Sequence, residues 1–199
     1  ERGLLLMADE VLTGWARTGK WLATEHWDVV PDVVSLGKGF GNGFPVTCVA
    51  VREPYKESFE SISASSSYGG NPMACGAALA AIQVIQEENL LQRSLDLGEI
   101  AIERMERIQQ EHPIVGHVRA KGCLMGIELV KDRTTKEPFD EAGKLVYQKA
   151  FAKGLAWIPA GHILRMSPPV VMEDEVLLKG FDIIDEAIGE TERELGYSG

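Results

Sequence analysis

The first residues suited to chemistry are Asp9 and Glu10, which directly follow the apolar run of residues 3–8. A continuous apolar run of this kind is typical of a strand that is buried on both faces in a parallel sheet. Open α/β sheets bind ligands in the crevice outside the carboxyl ends of their strands, so a carboxylate placed there can contact a ligand. The alternative is that Asp9 only caps the turn that follows it.

A single lysine, Lys38, lies among four glycines in residues 37–43, after the next apolar segment. Glycines let the backbone approach a ligand closely, although this spacing matches neither the phosphate-binding loop nor the dinucleotide pattern. A lysine held in a crevice loses its proton more readily and can attack a carbonyl carbon to form a Schiff base. A solvated loop lysine is the alternative interpretation.

Two further segments could bind anions. Residues 65–72 carry three serines before a helix that has Asn71 as its N-cap and Pro72 as its first residue. Hydroxyls and free backbone N–H groups at such a helix start can bind an anion, unless the segment is only a capped loop. Arg165 stands in the apolar segment 163–166, so it should pair with a carboxylate or phosphate, either of a ligand or of the protein itself.

The elements that position these residues alternate between strand-like segments and helices, which predicts an α/β fold. The first part has predicted strands at residues 4–8, 33–36 and 46–51 and predicted helices at 73–88 and 90–112. The second part has predicted strands at 114–118, 124–130, 155–158 and 163–166 and helices at 141–153 and from Glu173 onward. The apolar face of that last helix is formed by Leu177, Phe181, Ile184 and Ile188. We expect a first domain over residues 1–93 and a smaller α+β domain over 94–199.

The composition excludes several classes of protein. With 199 residues, 45% hydrophobic and 25% charged, the chain is neither disordered nor fibrous. The 20 Lys and Arg residues against 30 Asp and Glu residues give a net charge of −10, and without a basic cluster nucleic acid is not an expected partner. The apolar runs are too short to cross a bilayer and no leader segment is present, so we expect a cytoplasmic protein with no membrane partner. The wide spacing of Cys48, Cys75 and Cys123 predicts buried free thiols, with neither a disulfide framework nor a metal site.

The start of the chain is unusual. It opens at Glu1, without a methionine, and enters the apolar run almost at once. A strand that is buried on both faces needs a neighbour on each side. We therefore expect this chain to be the C-terminal part of a longer protein.

Taken together, these motifs resemble the class III aminotransferases, which are fold type I enzymes that use pyridoxal 5′-phosphate (PLP). Asp9 and Lys38 lie 29 positions apart, at the family's approximate spacing. The resembling segments run in the family's order over essentially the whole chain, at residues 9–14, 17–19, 35–39, 68–72, 126–129 and 164–169. The resemblance implies the C-terminal half of that fold, with a mostly parallel large-domain sheet followed by the small domain.

The resemblance also implies roles for individual residues. Lys38 would form a Schiff base with PLP and then carry the proton between the substrate α-carbon and the cofactor. Asp9 would keep the pyridine nitrogen protonated, which makes the ring an electron sink, and Val11 would pack on the ring. Ser67, where the family usually has threonine, would donate a hydrogen bond to the phosphate of the cofactor in the neighbouring subunit. Arg165 would bind the substrate carboxylate.

The implied function is a PLP-dependent transaminase that moves an amino group from an amino acid or ω-amino acid to a 2-oxo acid. It would work as a homodimer or higher oligomer with a shared active site, and residues 164–169 favour a donor like 4-aminobutyrate. Two positions depart from the family: Leu12, where several branches carry glutamine, and Ala16, where glycine is common. A 2,2-dialkylglycine-type decarboxylase and an amino-acid racemase are alternatives on the same scaffold. Because family members run to more than twice this length, a truncated, non-catalytic dimerisation module is the alternative of another class, and we expect the fragment alone to be inactive.

Overall fold

In the computed structural model, which describes residues 3–61 and 66–197, the chain divides between Gln92 and Arg93 into two units. The first unit contains a three-stranded sheet with the strand order β1-β2-β3. Its strands are β1 (Met7–Asp9), β2 (Val33–Leu36) and β3 (Cys48–Val51). β1 and β2 are parallel and pair Asp9 with Ser35, whereas β3 runs antiparallel to β2.

The apolar run before Asp9 differs from its prediction. The strand begins only at Met7, and the side chains of Leu4 to Met7 are exposed, Leu4 by 82%. In the described sheet β1 is an edge strand that pairs with β2 alone, so its apolar side chains lack a second neighbouring strand. The prediction that this run is buried on both faces is therefore wrong for the chain as it stands.

The helix α1 (Pro72–Glu87) follows from its capping residues. The Ala74 N–H donates a 2.9 Å hydrogen bond to Asn71 Oδ1, and Pro72 fills the first helical position, where a missing N–H costs nothing. Its buried face is made of Ala74, Ala78 and Ile85. Cys75 follows Ala74 and is turned about 100° away from that face, so it is exposed. The prediction of buried thiols holds for Cys123 and is wrong for Cys75, while Cys48 is half-buried.

The second unit contains a three-stranded antiparallel sheet of order β4-β5-β6, packed with helices as an α+β arrangement. The helix α2 (Leu90–Glu111) begins in the first unit and continues into the second. It is followed by β4 (Val115–Lys121), β5 (Leu124–Leu129), α3 (Asp140–Ala152), β6 (Ile163–Met166) and α4 (Asp174–Leu195). None of the helices in the described part of the chain is both long and apolar enough to span a bilayer.

One continuous apolar core fills the second unit. The predicted apolar face of α4 is confirmed, since Leu177, Phe181, Ile184 and Ile188 are all buried in it. The opposing side chains come from the sheet and from α2, among them Leu97, Met105, Ile127, Leu129 and Leu164. Burying side chains of this size is the main source of folding free energy in such a unit.

The strand predicted at residues 155–158 is wrong. Half-buried Leu155 and Trp157 alternate with exposed Ala156 and Ile158, which is the pattern of a strand. No strand in the described part of the chain pairs with this segment. The Trp157 ring instead packs edge-on against Tyr147 at 5.2 Å, so the side chains are held without a ladder of backbone hydrogen bonds.

Candidate active site

Asp9 and Lys38 lie at the same edge of the first sheet. Asp9 is the last residue of β1, and Lys38 follows the end of the parallel strand β2 after Gly37. The Glu10 N–H donates a 3.0 Å hydrogen bond to the Ser35 carbonyl, which continues the pairing to the point where both strands end. The side chains of Asp9 and Lys38 are both exposed. The structure therefore brings the predicted carboxylate and amine to the carboxyl ends of neighbouring parallel strands, where α/β sheets bind ligands.

Lys38 begins a tight turn over Lys38–Phe40. Its backbone is left-handed, with φ +46°, and its carbonyl accepts hydrogen bonds from the N–H groups of Gly41 (3.1 Å) and Asn42 (3.0 Å). A methyl group at Gly41 would overlap the Phe44 carbonyl, so the chain needs glycine there. These contacts hold the lysine backbone while its side chain stays open to solvent.

The residue after Glu10 packs against the lysine turn. The Val11 N–H donates a 3.0 Å hydrogen bond to Asp9 Oδ1, so Asp9 does cap its own turn. In the described part of the chain Asp9 Oδ2 has no hydrogen-bond partner and remains open to a ligand. A Cβ atom placed on Gly37 would lie 3.3 Å from Val11 Cγ1, which shows that Val11 sits directly over Gly37. The turn that carries Asp9 and the turn that carries Lys38 are therefore in contact.

An aromatic stack makes a second contact between these segments. The Trp15 ring stacks on Phe40, with ring centroids 4.8 Å apart and planes inclined by 20°, and Trp21 lies edge-on to Trp15 at 5.9 Å. Trp15 thus holds the far end of the lysine turn. This role of Trp15 does not follow from any motif, and its only signal in the sequence is a tryptophan in a turn-rich segment close to Asp9.

Ser67 lies just before α1, and its side chain is exposed. The neighbouring Ser66 Oγ accepts a 3.4 Å hydrogen bond from the Tyr68 N–H, and Ser65 lies outside the described residues. α1 itself contacts the Lys38–Phe40 turn, so the helix that follows Ser67 is near the lysine. The capped loop predicted as the alternative is present, and the proposed phosphate contact of Ser67 stays a prediction.

Arg165 belongs to the second unit, where it lies on β6 opposite Gly126. Its exposed side chain lines an apolar pocket of about 500 Å³ that is also bordered by Trp157, Met166 and Phe181. Within residues 3–61 and 66–197, the Arg165 guanidinium has no ion-pair or hydrogen-bond partner. The sequence leaves two kinds of partner open for Arg165, a ligand or the protein itself. The described part of the chain does not supply the second.

A charged cluster that the sequence does not reveal lies at the end of α2. His112 Nδ1 is 2.6 Å from Glu192 Oε2, and His112 Nε2 is 2.7 Å from Asp185 Oδ1. Arg104 contacts the second oxygen of Asp185 at 2.6 Å. Burial lowers the pKa of His112, but the hydrogen bonds to Glu192 and Asp185 outweigh it and raise the pKa above its ordinary value. The partners are far from His112 in sequence, so no local signal could have found the cluster.

Comparison with known proteins gives a consistent result. The family model for class III aminotransferases matches residues 1–188. A leucine/methionine racemase from Thermococcus litoralis is 42% identical over 195 residues, which cover 96% of this chain and 44% of that protein. A probable 4-aminobutyrate aminotransferase from Bacillus subtilis is 35% identical, over 94% of this chain and 44% of the relative.

Solved structures agree with this match. The crystal structure of a transaminase from the marine bacterium Virgibacillus superposes with a TM-score of 0.90 at 31% identity, over 97% of this chain and 46% of that one. The chain thus spans less than half the length of the relatives it matches. As its motifs predict, the chain belongs to the class III aminotransferase family, whose members have the type I fold and depend on PLP.

Proposed function

We propose that the protein is a transaminase that uses PLP to move an amino group from an amino acid or ω-amino acid to a 2-oxo acid. The observation that most supports this is that Asp9, Val11 and Lys38 lie together at the carboxyl ends of β1 and β2. The membership of the chain in this family adds to that support. The proposal concerns the whole protein, because the chain spans less than half the length of its relatives.

The residues at this edge fit the chemistry of the cofactor. PLP carries an aldehyde, a pyridine nitrogen that can be protonated, and a phosphate. The exposed amine of Lys38 suits the aldehyde, and the open oxygen of Asp9 suits the protonated nitrogen. Val11 offers an aliphatic surface beside both. When bound, the cofactor withdraws electrons from the substrate α-carbon.

Each residue then has a defined task. Lys38 would hold the cofactor through Nζ and, once released from it, would take the proton from the substrate α-carbon. Asp9 would keep a proton on the pyridine nitrogen, and Val11 would pack against the ring. The exposed hydroxyl of Ser67 would donate to the phosphate bound by a neighbouring copy of the protein. We therefore propose a homodimer as the smallest active assembly.

Arg165 is proposed to bind the substrate carboxylate. An exposed guanidinium without a partner in the described chain, beside an apolar pocket, is suited to an anionic ligand with an apolar body. Together with these roles, we propose that residues 1–93 form the end of the PLP-binding large domain and that residues 94–199 form the small domain.

An amino-acid racemase is the second candidate, favoured by the 42% identity to the leucine/methionine racemase. A racemase would use the same lysine and aspartate but return the proton to the opposite face of the α-carbon. Leu12 weakens the choice of a 4-aminobutyrate-like donor, because the resemblance implies that this branch often carries glutamine at that position. The two candidates differ in one respect that is simple to measure, namely whether a 2-oxo acid acceptor is required.

The attachment residue is tested by borohydride reduction of the complete, PLP-loaded protein. Reduction should leave the cofactor fixed on Lys38, as read by peptide mass spectrometry. Lys20, which is also exposed, is the internal control and should stay unlabelled. Recovery of the cofactor on Lys20 or on another lysine would overturn the assignment of Lys38.

The reaction is tested by incubating the same protein with single L-amino acids, with and without a 2-oxo acid. A transaminase should form a new amino acid only when the acceptor is present, and chiral chromatography should find the remaining donor still in the L form. Formation of the D-amino acid without an acceptor would replace the transaminase by the racemase.

A further inference from the structure

Glu10 lies between Asp9 and Val11, yet its side chain points into the protein. It is 2% exposed, while Asp9 beside it is exposed. A buried carboxyl group is costly unless hydrogen-bond donors reach both of its oxygens. The hydrogen-bond partners of Glu10 therefore indicate its function.

Every polar group of Glu10 has a partner. Its Oε1 accepts a 2.9 Å hydrogen bond from the Thr24 N–H, and its Oε2 accepts one from the Thr13 hydroxyl. In the backbone, the Glu10 N–H donates to Ser35 at 3.0 Å and the Glu10 carbonyl accepts from the Gly14 N–H at 3.0 Å. The Glu10 side chain thus links Thr13, near the start of the loop over residues 10–24, to Thr24 at its end.

That loop contacts the lysine turn on both sides of Lys38. Val11 packs over Gly37, which precedes the lysine, and Trp15 stacks on Phe40, which follows it. Both contacts depend on how the loop closes at Glu10. A shift of the loop would therefore move Val11 relative to the lysine turn, and with it the Val11 N–H that holds Asp9 Oδ1.

We propose that Glu10 is a positioning residue: it closes the loop over residues 10–24 and so fixes the placement of Asp9 and Val11 against the Lys38 turn. This inference rests on the proposed function, because it assigns the placement to the PLP reaction. Glu10 acts through its neighbours and does not itself face the edge where Asp9 and Lys38 are exposed.

Three variants and a control separate the possibilities. Glu10→Gln can keep both bonds, since its amide oxygen can accept from the Thr24 N–H and its NH₂ group can donate to the Thr13 hydroxyl. Glu10→Ala removes both bonds, and Thr13→Val removes one. The control is Glu25→Ala, because Glu25 directly follows the loop and its exposed carboxylate accepts a 2.9 Å bond from the Leu22 N–H.

Loop closure is measured first in the complete, cofactor-free protein by amide hydrogen exchange. Glu10→Ala should raise the exchange rate of the Thr24 N–H at least about tenfold, whereas Glu10→Gln and Glu25→Ala should leave it near wild type. An unchanged Thr24 rate in a folded Glu10→Ala protein would show that Glu10 does not close the loop.

Placement is measured next in the PLP-loaded protein. Glu10→Ala should move the midpoint of the pH titration of the visible absorption band and lower kcat about 10²-fold, with a much smaller change in KM. Glu10→Gln should restore both values, and Glu25→Ala should match wild type. A shifted titration is a result that a loss of global stability alone would not give.

The outcomes that count against the proposal are distinct. Wild-type titration and kcat in Glu10→Ala would overturn the positioning role and leave the proposed function standing. If Glu10→Ala does not fold, Thr13→Val decides by the same two measurements, and wild-type values there would also overturn it. Absence of the borohydride label on Lys38 in the wild-type protein would overturn the proposed function itself, and the positioning role with it.

Discussion

The second unit buries large apolar side chains from its helices and strands in one core, whereas the buried apolar residues of the first unit are fewer and mostly small. In the first unit, Leu4, Met7 and Leu79 are exposed, and the loop after β1 is held by the buried Glu10 and by the stack of Trp15 on Phe40. The predicted chemistry of Asp9 and Lys38 thus depends on polar contacts and turns, while Arg165 lies on a strand of a well-packed core. Changes of side-chain volume should therefore affect the second unit most, and changes of polar groups should affect the first unit most.

Removing a core aromatic ring should produce the largest effect on stability. Phe181 is 2% exposed in the core of the second unit, and Phe181→Ala should lower the free energy of unfolding by about 3 to 5 kcal/mol through lost burial and a cavity. The matched control is Phe44→Ala in the first unit, where the ring is 48% exposed and the change should be about 0.5 kcal/mol or less. Urea unfolding followed by circular dichroism measures both, and equal losses would remove the contrast between the units.

Changing Asp9 should affect the reaction and leave stability unchanged. Asp9→Asn should retain the cofactor but lose about 4 kcal/mol of transition-state stabilisation, which is roughly a thousandfold in rate. The exposed position of Asp9 predicts a melting temperature close to that of the wild type. Steady-state kinetics and the visible absorption of the bound cofactor check this. Near-normal turnover would show that Asp9 only caps its turn.

Arg165 tests whether the second unit contributes to substrate binding. Arg165→Met should lower kcat/KM for donors whose carboxylate binds Arg165, because the variant loses a charge-assisted pairing. The expected loss of transition-state stabilisation is about 2 to 3 kcal/mol. Simple amines should lose much less, and the absorption of the bound cofactor should not change. Equal losses for both kinds of donor, or a protein that no longer folds, would assign Arg165 to the fold.

The smallest expected effect is a pH dependence of the second unit. Burial opposes the charge of His112, but the hydrogen bonds to Glu192 and Asp185 raise its pKa above the ordinary value of 6.5. The raised pKa means that the charged ring stabilises the fold fully below about pH 6.5, and that this contribution is lost as the pH rises through the folded-state pKa. Urea unfolding at a series of pH values, from just below the ordinary histidine pKa of about 6.5 upward, should show that loss.

Two variants isolate the histidine. His112→Gln should flatten the pH dependence, whereas the exposed His117→Gln should leave it as in the wild type. The neighbouring Arg104, which contacts Asp185, stays charged over this range and adds no slope of its own. If the His112→Gln slope matches that of the wild type, another group is responsible.

The helices could be predicted from the sequence because their signals are local. Asn71 and Pro72 mark the start of α1, and Pro113 follows the end of α2. The buried face of α2 is less clear from the sequence: Leu91, Leu95, Ile102 and Met105 keep roughly one helical face, yet only Met105 is fully buried. α2 packs where Ser94 and Gly98 meet the Gly122–Cys123 turn, and such small contact residues do not stand out in an apolar pattern.

The candidate site, like the helices, could be predicted only in part from the sequence. Asp9 and Lys38 follow strands, and parallel strands end at one edge, so their proximity follows from fold class. The partners of Glu10 and the stack of Trp15 on Phe40 depend on how a long loop closes, which no spacing rule gives. Family, fold type and cofactor are confirmed, and the individual site roles stay proposals.

The left-handed backbone of Lys38 has a consequence for how this position can vary. At φ +46°, an L-residue costs about 1 to 2 kcal/mol, which glycine would avoid. A glycine at position 38 would therefore fit the turn better than the lysine does, and it would abolish the amine. The stability of the turn and the presence of an amine therefore oppose each other at position 38.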